Sequence, residues 1–410
     1  MNRLLNRNPY FVYIHTCFFS QLFFTFIFTV NLLYHVQVVN LNPIELVLVG
    51  TVLELTVFIF EIPTGVVSDI KSRKLSIIIG YLLIGIGFLV EGLFPIFLAV
   101  IFSQILWGIG YTFTSGSLQA WISDEIGEEQ AASAFVNGAK ASNLGQMIAI
   151  PLSIVTGIFM LNLPIILGGL CMIALAVYLM IYMKEEKFIP LRLQTQSSVW
   201  MNMKTNISKI ANYSKEIRLI RLLFLIALFF GFYSEGFDRL WLTHFIDASP
   251  LTYFSERNIV IVTGAIQFLI VLLSFVLLHV INRSSIHQHL KLIYLSLFIG
   301  SLLIICSLIG FSYSTSIIGL ISFYVIIQLA RQIMHPLEEI WLNTVIPESS
   351  VRATFFSVKG QVDAIGQISG GPIIGGIASL FSINTAIVIS AILLSPVLYL
   401  LKKVLKMSRG

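Results

Sequence analysis

Residues 43–74 read PIELVLVGTVLELTVFIFEIPTGVVSDIKSRK. A long apolar run ends in a turn crowded with charge, at Asp69, Lys71, Arg73 and Lys74. About 20 apolar residues in a helix cross a bilayer core of roughly 30 Å. The run starting at Pro43 is long enough to do so, and the charged turn marks where it leaves the membrane. The pattern repeats along the chain. Apolar runs lie near 9–34, 43–65, 75–93, 96–122, 132–156, 163–183, 219–242, 257–281, 291–310, 316–340, 353–379 and 383–401. An all-α integral membrane protein of twelve transmembrane helices is therefore expected.

Composition agrees. Of 410 residues, 57% are hydrophobic and 11% charged, against roughly 45–50% and about 25% in soluble domains. Mean hydropathy is +0.91. So few charges would leave a soluble chain of this size without a polar surface, and disordered or disulfide-stapled classes are excluded as well. Cys17, Cys171 and Cys306 all sit in apolar runs, with no C-x-x-C spacing. The net charge of +5 reads as basic loops on the cytoplasmic side, with no nucleic-acid partner.

The positive-inside rule orients the chain. Arg3 and Arg7 precede the first span, Lys71, Arg73 and Lys74 follow the second, and Lys402, Lys403, Lys406 and Arg409 follow the last. Together with the basic residues around 184–221 and Arg283, Lys291 and Arg352, 20 of the 25 Lys and Arg fall on the side of both termini. That side is expected to be the cytoplasm.

One long polar stretch, 184–217, separates two halves, 1–183 and 218–410. Val199, Met203, Ile207 and Ile210 recur there at helical spacing, so the stretch is either a helix on the membrane surface or a tether. An internal repeat supports two halves. Gly145-Gln146 with Pro151 recurs as Gly366-Gln367 with Pro372, and Ala132 and Phe135 as Ala353 and Phe356, all at an offset of 221. Paired six-span halves are a secondary-transporter architecture.

The segment Gly65-Val66-Val67-Ser68-Asp69-Ile70-Lys71-Ser72-Arg73 resembles the signature loop between spans two and three of the major facilitator superfamily. The resemblance extends over essentially the whole chain and implies two pseudo-symmetric six-helix bundles. It implies a cytoplasmic latch in which Gly65 and Asp69 meet a neighbouring helix and Arg73 pairs with an acid below span four, matched by Asp124. Gly371-Pro372-Ile373-Ile374-Gly375-Gly376 is similar to the Gly-Pro-x-x-Gly-Gly element of drug–proton antiporters, but it stands on span eleven instead of span five. Gln104 occupies the place where their span four carries Arg. Ser234-Glu235-Gly236-Phe237-Asp238-Arg239-Leu240-Trp241 resembles span seven of bacterial efflux permeases. The chain thus looks like a drug:proton antiporter-like efflux permease with an unusual coupling route.

Ionisable residues at membrane depth need a reason, because each costs at least a few kcal/mol. Glu54 lies eleven residues after Pro43, about 16 Å along the helix, and Glu61 follows seven residues later, within about 20° of the same face. Gly50 and Gly65 share that face, as expected of a helix lining a watery cavity. Burial disfavours the charged form of a carboxyl, so such an acid can exchange a proton in each cycle. The alternative is a static pair with a Lys or Arg. Asp363 lies at a similar depth in span eleven. Glu235, Lys140 and Arg331 complete the candidates for proton coupling and the substrate cavity. For Glu235, pairing with Arg239 at i+4 competes with that role. For Arg331, a self-neutralised cluster with Glu338 and Glu339 is slightly favoured.

Function follows in outline. No G-x-x-x-x-G-K-[ST] loop is present, so ATP drive within the chain is not expected. An intramembrane enzyme has no support either: there is no H-E-x-x-H, no G-x-S-x-G, and no metal-spaced Cys/His set. The expected activity is proton-coupled export of an amphipathic or cationic organic compound such as an antibiotic, by a monomer without cofactor. Transport of a specific small metabolite is the alternative.

Overall fold

A computed structural model describes residues 8–189, 208, 212–249, 256–283, 289–346 and 352–407. The stretch 190–207 and the surface-helix residues Val199, Met203, Ile207 and Ile210 lie outside the described residues. Among those described, helices alone form the architecture. They are α1 (Pro9–Gln37), α2 (Pro43–Ile70), α3 (Arg73–Leu93), α4 (Phe97–Thr114), α5 (Ser117–Ile126), α6 (Glu128–Gly157), α7 (Leu163–Tyr182), α8 (Arg218–Ala248), α9 (Glu256–Arg283), α10 (Leu290–Tyr313), α11 (Ile317–Val345), α12 (Arg352–Leu380), α13 (Ile383–Leu394) and α14 (Pro396–Met407).

Local chemistry sets the ends. Asn8 accepts the amide of Tyr10 ahead of α1, with Pro9 at its first position, a residue whose missing N–H costs nothing there. Ser72 and Ser316 cap α3 and α11 by accepting the amides of Leu75 and Gly319. The fourth apolar run does not continue as one helix. At Gly116 the backbone turns left-handed, with φ 71°, and α5 starts; at Gly127, with φ 85°, it stops. Both angles favour glycine.

Ten helical stretches are long and apolar enough to cross a membrane, counted among the described residues and taking α4–α5 and α13–α14 as one stretch each. α6 and α12, at 30 and 29 residues, match them in length but not in hydropathy. Both are rich in Gly, Ser and Ala and carry Gln and Lys, as spans packed through close backbone contact do. The expectation of twelve spans thus rests on composition for ten helices and on length for two.

The chain forms two compact units. One takes Met1–Leu41, Val52–Leu193 and Phe254–Phe268; the other takes Asn42–Thr51, Gln194–Tyr253 and Leu269–Gly410. In the first, α3 is held against α4 and α7 by facing glycines. A Cβ on Gly80 would lie 2.6 Å from the Gly110 carbonyl, and one on Gly85 would lie 2.7 Å from that of Gly169. Both are closer than real Cβ contacts allow. α1 meets α6 at Gly145, where a Cβ would stand 2.5 Å from the Phe18 carbonyl and 3.2 Å from the Leu22 amide nitrogen.

In the second unit, Gly366 of α12 meets α8 in the same manner, against the Leu228 carbonyl and the Phe232 amide nitrogen, the latter at 2.9 Å. The repeated glycines therefore make the same contact twice, each with the carbonyl of one residue and the amide four positions on. Val47, Leu240, Ile374, Ala378 and Ala386 form a core of this unit.

Candidate functional site

A cavity of about 410 Å³ opens within the second unit between α8, α11 and α12. Helical spacing puts its polar lining in place. On α11, Arg331, His335, Glu338 and Glu339 stand at i, i+4, i+7 and i+8; on α12, Lys359, Asp363 and Gln367 stand at i, i+4 and i+8; α8 contributes Ser234 and Asp238. Phe230, Tyr233 and Phe356 supply aromatic surface.

Charges meet across helices. Arg331 donates to both oxygens of Asp238, Nη1 to Oδ1 at 2.6 Å and Nη2 to Oδ2 at 2.7 Å. Its guanidinium also lies 5.9 Å from the centre of the Tyr233 ring, within cation–π range. The self-neutralised Arg331–Glu338–Glu339 cluster does not form: Asp238 presents two oxygens in the plane of the guanidinium fork, a geometry that favours the bidentate pair. Glu338 instead accepts from Lys359 at 2.7 Å. Glu339 lies 3.8 Å from His335. Asp363 accepts from Gln367 at 2.8 Å and makes no ion pair among the described residues. Four acids thus line the cavity against two permanent cations and one imidazole.

Glu235 is buried and bonded to Arg239 at 2.9 Å, and it is not part of the cavity lining. The pair sits over Gly50 of α2, where any Cβ would overlap the Glu235 carboxylate. A side chain at Gly50 would therefore displace the Glu235 and Arg239 side-chain ends. Gly371 and Gly375 also receive the start of α2: a Cβ on Gly371 would lie 3.0 Å from Thr51 Oγ1, and one on Gly375 would lie 3.0 Å from Val47 Cβ. Pro372 stands inside α12, and beside Gly376 no described atom lies within 4 Å of a Cβ.

The remaining candidates lie in the first unit. Glu54 and Glu61 are half-buried on α2, both near Tyr111 of α4. Lys140 is exposed, its Nζ 3.5 Å from Asn137 Oδ1. Arg73 donates to Asp124 at 2.7 Å, and exposed Asp69 is near both. Gly65 is not a close-approach point within its unit, because no described atom lies within 4 Å of a Cβ there. Beside this cluster Glu185 accepts the amide of Lys74 at 3.0 Å and the Ser72 hydroxyl at 2.5 Å. A carboxylate there suits the positive end of α3. Buried Glu125 accepts the amides of Glu186 and Lys187 at 2.7 and 3.0 Å. The Lys184 ammonium, 2.8 Å from Glu186, holds that exposed carboxyl below the usual carboxylate range.

Glu91 escaped the sequence reading. It is fully buried in α3 and bonded to Asn31, His35 and Gln104. An acid within an apolar run is the signal that singled out Glu54, and it was available here too. The aim of Asp238 at Arg331, 93 positions away, had no local signal.

The comparisons with known proteins agree with this architecture. Residues 14–358 match the Major Facilitator Superfamily model. YxaM of Bacillus subtilis (strain 168), described as an uncharacterised MFS-type transporter, is 24% identical over 361 residues, covering 86% of this chain and 85% of that protein. The crystal structure of the nucleoside transporter NupG superposes with a TM-score of 0.76 at 14% identity, over 97% of this chain and 98% of NupG. A POT family transporter, crystallised with a thioalcohol-conjugated peptide, gives a TM-score of 0.74 at 14% identity, over 98% of this chain and 96% of that one. These likenesses carry the fold. With the family model matching most of its length, the chain belongs to the major facilitator superfamily.

Proposed function

We propose that the protein is a secondary active transporter, working by alternating access and driven by protons, that exports an amphipathic or cationic organic compound such as an antibiotic. It works as a monomer in a bacterial plasma membrane, with both termini in the cytoplasm and no cofactor besides the coupling proton. The observation that carries this reading is Asp363. Its neighbour Lys359, one turn away, is taken by Glu338, so the Asp363 carboxylate answers to a proton or a solute and not to a fixed cation. Gln367 donates to that carboxylate. Proton binding removes one negative charge from a cavity with an excess of acids. A cationic solute satisfies the same charge, so the two compete for the site. Phe230, Tyr233 and Phe356 suit the apolar part of such a solute.

A second reading, transport of a specific polar metabolite, is favoured by the two ion pairs Arg331–Asp238 and Lys359–Glu338, which offer both signs of charge at fixed places.

Growth of an expressing bacterial strain against a panel of toxic compounds separates the two, because only export raises resistance. Coupling is tested by solute flux in proteoliposomes with and without a pH gradient. Asp363→Asn is expected to abolish gradient-driven accumulation while sparing exchange without a gradient, since Asn resembles the protonated acid in size and hydrogen bonding. Glu54→Gln and Glu61→Gln test the first-unit acids in the same assay. Full accumulation in all three variants would make these acids structural.

A further inference from the structure

The polar stretch that follows α7 begins with a fastened segment. Lys184, Glu185, Glu186, Lys187 and Phe188 form no helix, yet α3 and α5 of the same unit meet their polar groups. The Lys184 carbonyl accepts the indole N–H of Trp121 at 2.7 Å. The amides of Glu186 and Lys187 donate to the Glu125 carboxylate at 2.7 and 3.0 Å, and the Lys187 ammonium donates to the Glu125 carbonyl at 2.8 Å. Trp121 and Glu125, one turn apart on α5, are both buried. Towards α3, Glu185 accepts the Lys74 amide and the Ser72 hydroxyl. The Lys74 ammonium in turn donates to the Met180 carbonyl of α7 at 3.2 Å.

The order of charges in the segment suits the helix ends that it bridges. A helix start carries partial positive charge and a helix end partial negative charge. Glu185 stands at the start of α3, and Lys187 at the end of α5. Phe188 then lies against Arg73, whose guanidinium carbon is 5.8 Å from the centre of the ring, within cation–π range. Arg73 opens α3, Asp124 sits in the last turn of α5, and the two meet at 2.7 Å. The Arg73 Nε is buried with no hydrogen-bond partner among the described residues. The bond to Asp124 and the face of Phe188 are left to fix the guanidinium, with the Asp69 charge nearby.

We infer that Lys184–Phe188 is a strap that positions the Arg73–Asp124 pair. Bonds from one short segment reach both helices that carry the pair, and its last residue touches the pair itself. α5 needs such a brace. Its 10 residues fall short of the roughly 12–15 that an isolated helix needs in water, and glycines of positive φ break the backbone on both sides. Glu125, Glu185 and Phe188 are accordingly positioning residues, which act on transport only through Arg73 and Asp124. That effect on transport rests on the latch reading; the effect on the pair does not.

The test is a set of mutant cycles on the full-length protein in detergent. Asp124→Asn is made in the wild type, in Phe188→Tyr and in Phe188→Leu, and the fall in melting temperature is compared. Phe188→Tyr keeps the ring and is expected to give the wild-type fall. In Phe188→Leu the fall is expected to be at least halved, because side chains that act together do not add. Exchanging the charges, Glu185→Lys with Lys187→Glu, keeps the net charge, sets like against like at both helix ends, and is expected to halve the fall as well. Should the exchange variant fail to fold, Phe188→Leu, which removes no hydrogen bond, decides alone. Equal falls in every background that folds, or no fall in any, would overturn the strap. Flux of ethidium, a cationic aromatic dye, reads the latch separately: a halved fall with wild-type flux upholds the strap and removes the latch.

Discussion

Arg331 on α11 grips Asp238 on α8 by both carboxylate oxygens, at 2.6 and 2.7 Å. Lysine cannot reproduce this planar, two-bonded contact. Arg331→Lys keeps the charge and loses one bond. Because both side chains are partly exposed, the loss is expected to be only about 1 kcal/mol, or roughly fivefold in transport rate. Asp238→Asn leaves the guanidinium over the Tyr233 ring without its carboxylate and is expected to cost more. Flux measurements on the two variants, with thermal stability in detergent as the control, check the order.

At the opposite end of the chemistry, the proposed cytoplasmic latch rests on Asp69 and on the Arg73–Asp124 pair. Asp69 is exposed and lies beside the Arg73–Asp124 pair. Asp69→Asn should slow transport while leaving the protein folded and inserted. Flux together with gel filtration in detergent separates these effects, and a wild-type rate would remove Asp69 from the latch.

The glycines of α12 make a sharper contrast. A side chain on Gly371 would press on Thr51, Glu235 and Val47, at 3.0, 3.1 and 3.2 Å for the Cβ alone. Gly371→Val is expected to lower stability by about 1–3 kcal/mol through overpacking. Gly376→Ala enters open space and should be neutral or stabilising, by up to about 1 kcal/mol in a helix interior. Melting temperatures of the purified variants report both.

Topology can be tested without a substrate. A reporter fused after Gly410 and another inserted near Ser197 are both expected to read as cytoplasmic, because the basic residues cluster on the side of the termini. An external signal from either one would undo the even number of spans.

Much of the fold was legible because hydropathy is a property of each residue alone. The signal is weakest at α6 and α12, where contact through Gly145 and Gly366 replaces apolar side chains, yet the runs 132–156 and 353–379 still mark both helices. The break at Gly116 was hidden inside an apolar run, since a single backbone angle leaves no trace in composition. The site was legible only in part. Spacing exposed Asp363 and Arg331 as unusual but gave neither partner, and the i+4 rule that joined Glu235 to Arg239 would have joined Lys359 to Asp363. Lys359 reaches Glu338 on another helix instead. Partner choice across helices depends on rotation about each axis, which short-range patterns do not encode.

The two left-handed glycines around α5 separate two kinds of tolerance that are usually treated as one. Gly116 and Gly127 have empty surroundings, with no described atom within 4 Å of an added Cβ. Ranked by crowding alone, they would rank with Gly376 among the freest positions in the chain. Their backbone angles reverse that ranking, because a β-carbon there is strained by its own main chain whatever lies nearby. A saturation library read by growth should therefore show Gly116 depleted of every residue except glycine and, less severely, asparagine and aspartate, and Gly127, whose ψ is 154°, depleted of all but glycine. Such depletion would mark a geometric constraint in a region where a packing map shows only free volume.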